Sequence, residues 1–494
     1  MHTPAHRGAH TAVATSLVAL LVVGCTDLIL GPTAADFPDE PAPSPQPDVV
    51  AFVGVHVVPM DTERVLIDHT VIVEGERIAT IGPSATTPIP AGAFRIEGRG
   101  RYLVPGLADM HVHTTSGTFA HLRNDFVSWM AHGVTTLRVM WGSLGVLAER
   151  DRIEAGEVLG PALLVASAGI DGPGGPWEVF TPSVSSADEA RQRTADHVAA
   201  GYDFIKVYNE LDVPSYDAIV EEAARSGTPV VGHVPWRVGL ERVQDAGQST
   251  SEHFIGIRRE AASVFDGGDL DQGRVAEVVG RSAAMGLTHT PTITVDALSR
   301  SQARALQTGS EIRYISPGMR DFFVTGYHQG FEDGVAAREH RNHRLMIAAI
   351  RDAGGRLLIG TDAGFGWILP GSSIHDEMAS FEQAGLSPFE VLRAATSDAA
   401  AVAGREAEFG RVAEGMRADL LLVARNPLVE VAALRESSGT MVRGRWLSRG
   451  TLQSMRAAIV AEYGSGAPAT LAASARSPSP LPERHHPLVP PPRP

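Results

Sequence analysis

Between Leu107 and Asp362 a short apolar run rich in β-branched residues is followed, again and again, by an amphipathic stretch of helical period. The runs are Leu107 to His113, Val134 to Met140, Ala162 to Ala168, Phe204 to Tyr208, Pro229 to Val234, Thr250 to Phe254, Leu287 to Val295 and Arg356 to Asp362. Alternation of this kind demands parallel strands joined by helical crossovers. Eight such units within roughly 290 residues, 104–400, predict an α/β fold of the (β/α)₈ TIM-barrel type. Helix signals agree with this reading. Phe119, Leu122, Phe126 and Trp129 recur at helical spacing ahead of Gly133, and Ser387, Pro388 and Glu390 form a capping box with Pro at the first helical position. Residues Ala297 to Gly355 exceed one crossover and predict extra helices or a lid.

Short β-branched segments flank the alternation on both sides: Val49 to Val58, Thr70 to Val73 and Arg77 to Ile81 before it, Leu420 to Val423 and Met441 to Trp446 after it. They predict a small β-sandwich built from both ends of the chain, 48–103 and 401–449, around a barrel at 104–400. Residues 26–47, rich in Pro, read as a linker, and 450–494 as a largely disordered tail.

The one cysteine of the 494 residues, Cys25, closes the apolar stretch Thr11 to Gly24. That stretch is too short to span a bilayer but has signal-peptide length, and Val22-Val23-Gly24-Cys25 resembles a bacterial lipobox. A signal peptide at 1–25 and a lipid-anchored protein of the bacterial cell envelope, facing the periplasm or exterior, are expected, with the membrane touched only through that anchor. A net charge of -15 without a basic cluster argues against a nucleic-acid partner. A small-molecule substrate is the expected partner, and a homo-oligomer stays open.

Residues able to bind metal fall at the C-terminal ends of the predicted strands, where barrels of this type gather their active groups. His111 and His113 close the first strand and share a face by alternation. Lys206 closes the fourth, His233 the fifth, His253 the sixth and Asp362 the eighth. Lys206 is the chain's single lysine among 42 basic residues, the rest being Arg. Arg keeps its proton at any accessible pH, whereas a buried Lys can lose it and react, so Lys206 offers a neutral amine that Arg cannot.

The runs Pro105 to His113, Asp203 to Tyr208, Gly232-His233-Val234, Glu252-His253 and Gly360-Thr361-Asp362 resemble, in order, the motifs of the amidohydrolase superfamily. The branch most similar is that of imidazolonepropionase and the metal-dependent Xaa-Pro dipeptidases, and the likeness covers roughly Asp48 to Arg449. Lys206 departs from imidazolonepropionase, which has no lysine on strand four and binds one metal. The resemblance implies a carbamylated Lys206, formed with CO₂, bridging two divalent metal ions. It places His111, His113 and Asp362 on one ion, and His233 and His253 on the other. Nitrogen and oxygen ligands suit Zn²⁺, and Mn²⁺, Fe²⁺ or Co²⁺ fit the same set. A bridging hydroxide would attack a C–N bond of amide type, with Asp362 as general base and acid.

Tyr208 shares the inward face with Lys206 and is either a donor to substrate or a filler of the barrel. His289 and His375 are further candidates for substrate contact. Expected substrates are dipeptides, N-acyl amino acids or cyclic amides. Lactone or phosphotriester hydrolysis is the enzymatic alternative, and a catalytically idle, envelope-tethered binding module the alternative of another class.

Overall fold

The computed structural model describes residues 32–114, 119–178, 181–263, 268–320, 330–364 and 367–464. The lipobox at Cys25 and the Pro-rich end of the chain lie outside the described residues. The strands are β1 (Val49–Val57), β2 (Leu66–Glu74), β3 (Arg77–Pro83), β4 (Phe94–Glu97), β5 (Tyr102–Pro105), β6 (Leu107–Val112), β7 (Val134–Val139), β8 (Ala162–Val165), β9 (Ile205–Val207), β10 (Val230–Gly232), β11 (Thr250–Glu252), β12 (Thr288–Thr290), β13 (Leu420–Val423), β14 (Ser437–Val442) and β15 (Arg445–Ser448).

The architecture is mixed α/β. β6, β7 and β8 pair in parallel, as do β9 to β12 in sequence order. Every residue of β6 and β7 is buried, as expected of parallel strands covered by helices on one side and by the molecule's centre on the other. Single parallel bridges extend the pairing: Ala166 to Phe204 between the two sheets, His289 to Leu357 after β12, and Val112 to Ala363 back to β6. The crossover helices carry the end signals that their sequences contain. In Val213–Ser226, Asp212 caps the start by accepting from the Ser215 amide and Gly227 ends the helix in the left-handed conformation. The capping box at Ser387 and Glu390 forms as expected.

Strands from both ends of the chain meet in one eight-stranded sheet, in the order β15-β14-β13-β5-β1-β2-β3 with β4 on β1. β5 joins the halves, pairing in parallel with β1 and antiparallel with β13. Its core is Phe52, Val71, Ile96, Leu103, Leu420, Leu422, Met441 and Trp446.

Four expectations need correction. The seventh strand stops at Thr290 rather than Val295, because Pro291 has no amide hydrogen and Thr292 takes a positive φ of 50°, which turns the chain into the helix Ile293–Asp296. The eighth run, Arg356 to Asp362, is not a continuous ladder. It is held by Leu358 N–H to His289 O (2.9 Å) and Asp362 N–H to His111 O (2.7 Å). Residues 32–47 are no free spacer: the Trp446 indole donates to Glu40 O (2.9 Å), and the Gly450 amide to Asp39 (3.0 Å). The tail from 450 begins as the helix Arg449–Gly464, whose Leu452 and Ile459 are buried at helical spacing.

Candidate metal centre

The six residues marked by the sequence converge where the parallel strands end. At one side, Asp362 Oδ1 lies 2.8 Å from His113 Nε2 and 3.3 Å from His111 Nε2. The ligand-capable atoms of these three residues all lie within 4.8 Å of one another. From there a row of rings crosses the site: His111 to His253 at 4.7 Å between centroids, His253 to His233 at 5.0 Å, and His233 to Tyr208 at 4.0 Å. Lys206 sits beside this row, its Nζ 5.6 Å from the Tyr208 ring and 5.9 Å from the Trp141 ring. All but His113 are buried.

Backbone conformation makes this convergence possible. Plain alternation would turn Glu252 and His253 to opposite sides of β11, yet both face inward. His253 adopts a positive φ of 61° and so leaves the strand's pleat; Asp362 does the same at 64°. Left-handed conformations at residues other than Gly are strained, and such strain concentrates at functional sites. Gly232 serves a related need. At φ 122° its missing Cβ would lie 2.3 Å from Val207 O and 3.2 Å from Lys206 Cγ, so only Gly lets β10 pass this close to the lysine.

The imidazoles are oriented from behind. His111 Nδ1 donates to Glu252 Oε2 (2.9 Å), His233 Nδ1 to Asn209 Oδ1 (2.7 Å), and His253 Nδ1 engages the Thr292 hydroxyl (2.6 Å). With Nδ1 engaged in each, the Nε2 lone pairs are left for the centre, the arrangement metal-binding histidines use. His111 Nε2 is buried and makes no hydrogen bond. Burial also lowers the pKa of His111, to about 4, and that of His233 and His253 well below the usual value, so all three are neutral at pH 7. A cluster of neutral imidazoles around a carboxylate fits a divalent cation.

Glu252 is the hub of the supporting layer. It takes the Arg138 guanidinium at 3.0 and 3.1 Å and the Thr250 hydroxyl, all fully buried. Burial would raise its pKa, but Arg138 and His111 outweigh that and hold the carboxylate ionised. Asp109 fixes the other edge by accepting from the Thr361 amide (3.0 Å) and hydroxyl (2.7 Å), next to Asp362 in the chain. Burial would raise the Asp362 carboxyl too, but His113, His111 and His253 hold it well below its usual range. Burial draws the Lys206 amine down to about 8 against the pull of Asp362 and Glu252.

Of the secondary candidates, the structure brings only Tyr208 to the site. Its oxygen accepts from the Trp177 indole N–H at 2.9 Å. His289 faces elsewhere: its neighbour Thr290 accepts from Arg138 at 3.2 Å, so alternation turns His289 outward, where its ring lies 5.8 Å from that of Phe254. His375 packs on the helix Ser373–Gln383 against His132, 5.7 Å between rings. Sequence reasoning missed Arg138, Asn209, Thr292 and Trp177, and left Asp109 and Glu252 without roles. For the last two a signal was present, since each adjoins a metal-capable residue within its own motif.

Comparison with known proteins places this geometry. The sequence pattern described as amidohydrolase family matches residues 102–447. Ochratoxinase of Aspergillus niger is 22% identical over 445 residues, covering 78% of this chain and 83% of its own. Among solved structures, a bottromycin amidohydrolase superposes with a TM-score of 0.70 at 26% identity, over 85% of this chain and 92% of its own. A putative prolidase from Bifidobacterium longum does so with 0.64 at 24%, over 83% and 99%.

Proposed function

This chain belongs to the amidohydrolase family, and we propose that it is a binuclear metal-dependent hydrolase of amide-type C–N bonds in dipeptides, N-acyl amino acids or cyclic amides. The observation that carries this reading is a buried lysine, its amine drawn down by burial to about 8, set among three neutral imidazoles and an ionised carboxylate. The family's hydrolases of known name, among them an ochratoxinase and a bottromycin amidohydrolase, support the reaction class. The strand bridges at Ala166, His289 and Val112 support a closed (β/α)₈ barrel, with the eight-stranded sheet forming the accompanying β-sandwich.

His111, His113 and Asp362 would hold one divalent ion, His233 and His253 the other, Zn²⁺ being the first choice. Such ions supply hydroxide at neutral pH and polarise the substrate carbonyl. Lys206 in its neutral form would add to the carbon of CO₂ and release a proton, giving a carbamate whose oxygens would add to the donor set for divalent ions. Asp362 takes the proton of the attacking water and hands it to the leaving amine. Tyr208 donates to the carbonyl oxygen as negative charge builds there. The burial that lowers Lys206 also excludes bulk water from these transfers.

Protein purified without chelator should carry about two ions per chain and cleave members of a panel of dipeptides and N-acyl amino acids. Turnover of lactones or a phosphotriester alone would move the reading to that chemistry. A folded, metal-free and inactive protein would make it a binding module. We further propose anchoring through lipidated Cys25: Cys25→Ser should move the protein from the membrane to the soluble fraction, and unchanged membrane association would refute the anchor.

A further inference from the structure

Trp177 lies in a turn and belongs to no sequence motif of the site, yet among the described residues it makes the one polar contact of the Tyr208 hydroxyl. The direction of that hydrogen bond is fixed by chemistry: an indole nitrogen only donates, so the phenol oxygen accepts. A phenol has a single hydrogen, and no acceptor for it is found among the described residues. The aromatic neighbours hold the arrangement on each side. Trp141 stands edge-on to Tyr208 (5.8 Å, 83°) and to Trp177 (6.3 Å, 68°), while Tyr208 lies nearly flat against His233 (4.0 Å, 31°). Tyr208 therefore has little freedom to rotate about its side-chain bonds, and one of its oxygen lone pairs is occupied.

We propose that Trp177 is a positioning residue that aims the Tyr208 hydroxyl hydrogen at the substrate carbonyl oxygen. Because the indole N–H occupies one side of the phenol oxygen, the O–H bond points away from it, into the site. A donor oriented before the substrate arrives needs no reorganisation when charge develops, which is where such donors gain most. This inference rests on the hydrolase reading above and adds to it the residue that sets the donor's direction.

The test is a double-mutant cycle on the substrate of the panel that the wild type cleaves fastest, with all four proteins metal-loaded. Tyr208→Phe should lower kcat about a hundredfold, the usual scale for losing one such donor, and Trp177→Phe about tenfold with KM within about twofold. In the Tyr208→Phe background, where no phenol oxygen remains, Trp177→Phe should change nothing further. Trp177→His, whose ring can still donate, should recover part of the loss. If the Phe variant unfolds, replacing Trp177 by β-(3-benzothienyl)alanine, which keeps the indole's shape without its N–H, gives the same comparison. An equal loss from Trp177→Phe in both backgrounds would make its role one of packing and overturn the proposal, as would unchanged kcat. A wild type inactive on every amide of the panel would remove the hydrolase reading and this inference together, whereas an active wild type with an unaffected Trp177→Phe removes the inference alone.

Discussion

The carboxylate of Glu252 accepts the Nδ1 hydrogen of His111 at 2.9 Å, and neither side chain has any exposed surface. The same carboxylate neutralises Arg138, which is equally buried. One residue thus orients a metal-capable imidazole and compensates a cation at the centre of the molecule.

Glu252→Gln should therefore fail in two separable ways. Leaving Arg138 without its counter-charge should cost about 3–5 kcal/mol of stability, read from denaturant unfolding. Loosening His111 should weaken metal affinity about 10–100-fold, read by competition with a chelator. Adding Arg138→Met should restore much of the stability but not the affinity. Recovery of both together would show that Glu252 acts on charge alone.

Lys206→Arg places a permanent cation where the proposed carbamate would form. Metal content should fall below that of the wild type, and amide hydrolysis should fall about a thousandfold or more, the scale of several kcal/mol of metal-ion stabilisation. Wild-type protein supplied with ¹³C-bicarbonate should show a carbamate carbon resonance that the variant lacks. Full activity in the variant would exclude the carbamate.

Gly232→Ala forces a methyl group to 2.3 Å from Val207 O at a backbone angle that Ala rarely adopts. A loss of about 2 kcal/mol or more is expected, with reduced metal content because the displaced neighbour is Lys206. Gly280→Ala is the control: it lies inside the helix Gln272–Met285 with nothing near its missing Cβ, and should be neutral or stabilising by up to about 1 kcal/mol.

Glu311 pairs with Arg456 of the helix Arg449–Gly464 and contacts His132 Nε2, just past the helix Phe119–Ala131, at 3.3 Å. Burial would raise its carboxyl, but His132 and Arg456 outweigh burial and hold it at about 2, below the ordinary 4.5 of a glutamate. Its folded pKa being depressed, its contribution is complete above about pH 4.5 and lost as pH falls toward 2. Thermal midpoints of wild type and Glu311→Gln should differ at pH 6 and draw together between pH 4.5 and 2. A constant gap across that range would contradict the ion pair.

The convergence of His111, His113, Lys206, His233, His253 and Asp362 was legible because parallel strands joined in chain order bring their C-terminal ends together, and these residues stand at or just past the ends of those runs. What could not be read depended on backbone angle. Strict alternation sets Glu252 against His253, and only the left-handed turn at His253 brings both inward. The same alternation, applied to a seventh strand whose true end is Thr290, turns His289 outward. His375 was a distance problem, since the partner that claims it, His132, lies far away in sequence. The helix Arg449–Gly464 was hidden by the low-complexity residues that follow it, although Leu452, Met455 and Ile459 carry a helical period. Glu252 needed its partner Arg138, more than a hundred residues earlier, before its role could be seen.

The eight-stranded sheet has a temporal consequence. β5 is complete early in synthesis, but its antiparallel partner β13, through pairs such as Leu103 with Leu422, leaves the ribosome about 300 residues later. Until then one edge of β5 has no mate, and Tyr102 and Val104 wait with their amides unpaired on that side, since Leu103 faces β1. Long-range pairing of this kind slows folding and exposes nascent chains to association. The sheet is thus completed only when β13 reaches β5, and a nascent polypeptide stalled before Leu420 should hold a finished run of metal-capable residues on a scaffold that has not yet closed its own seam.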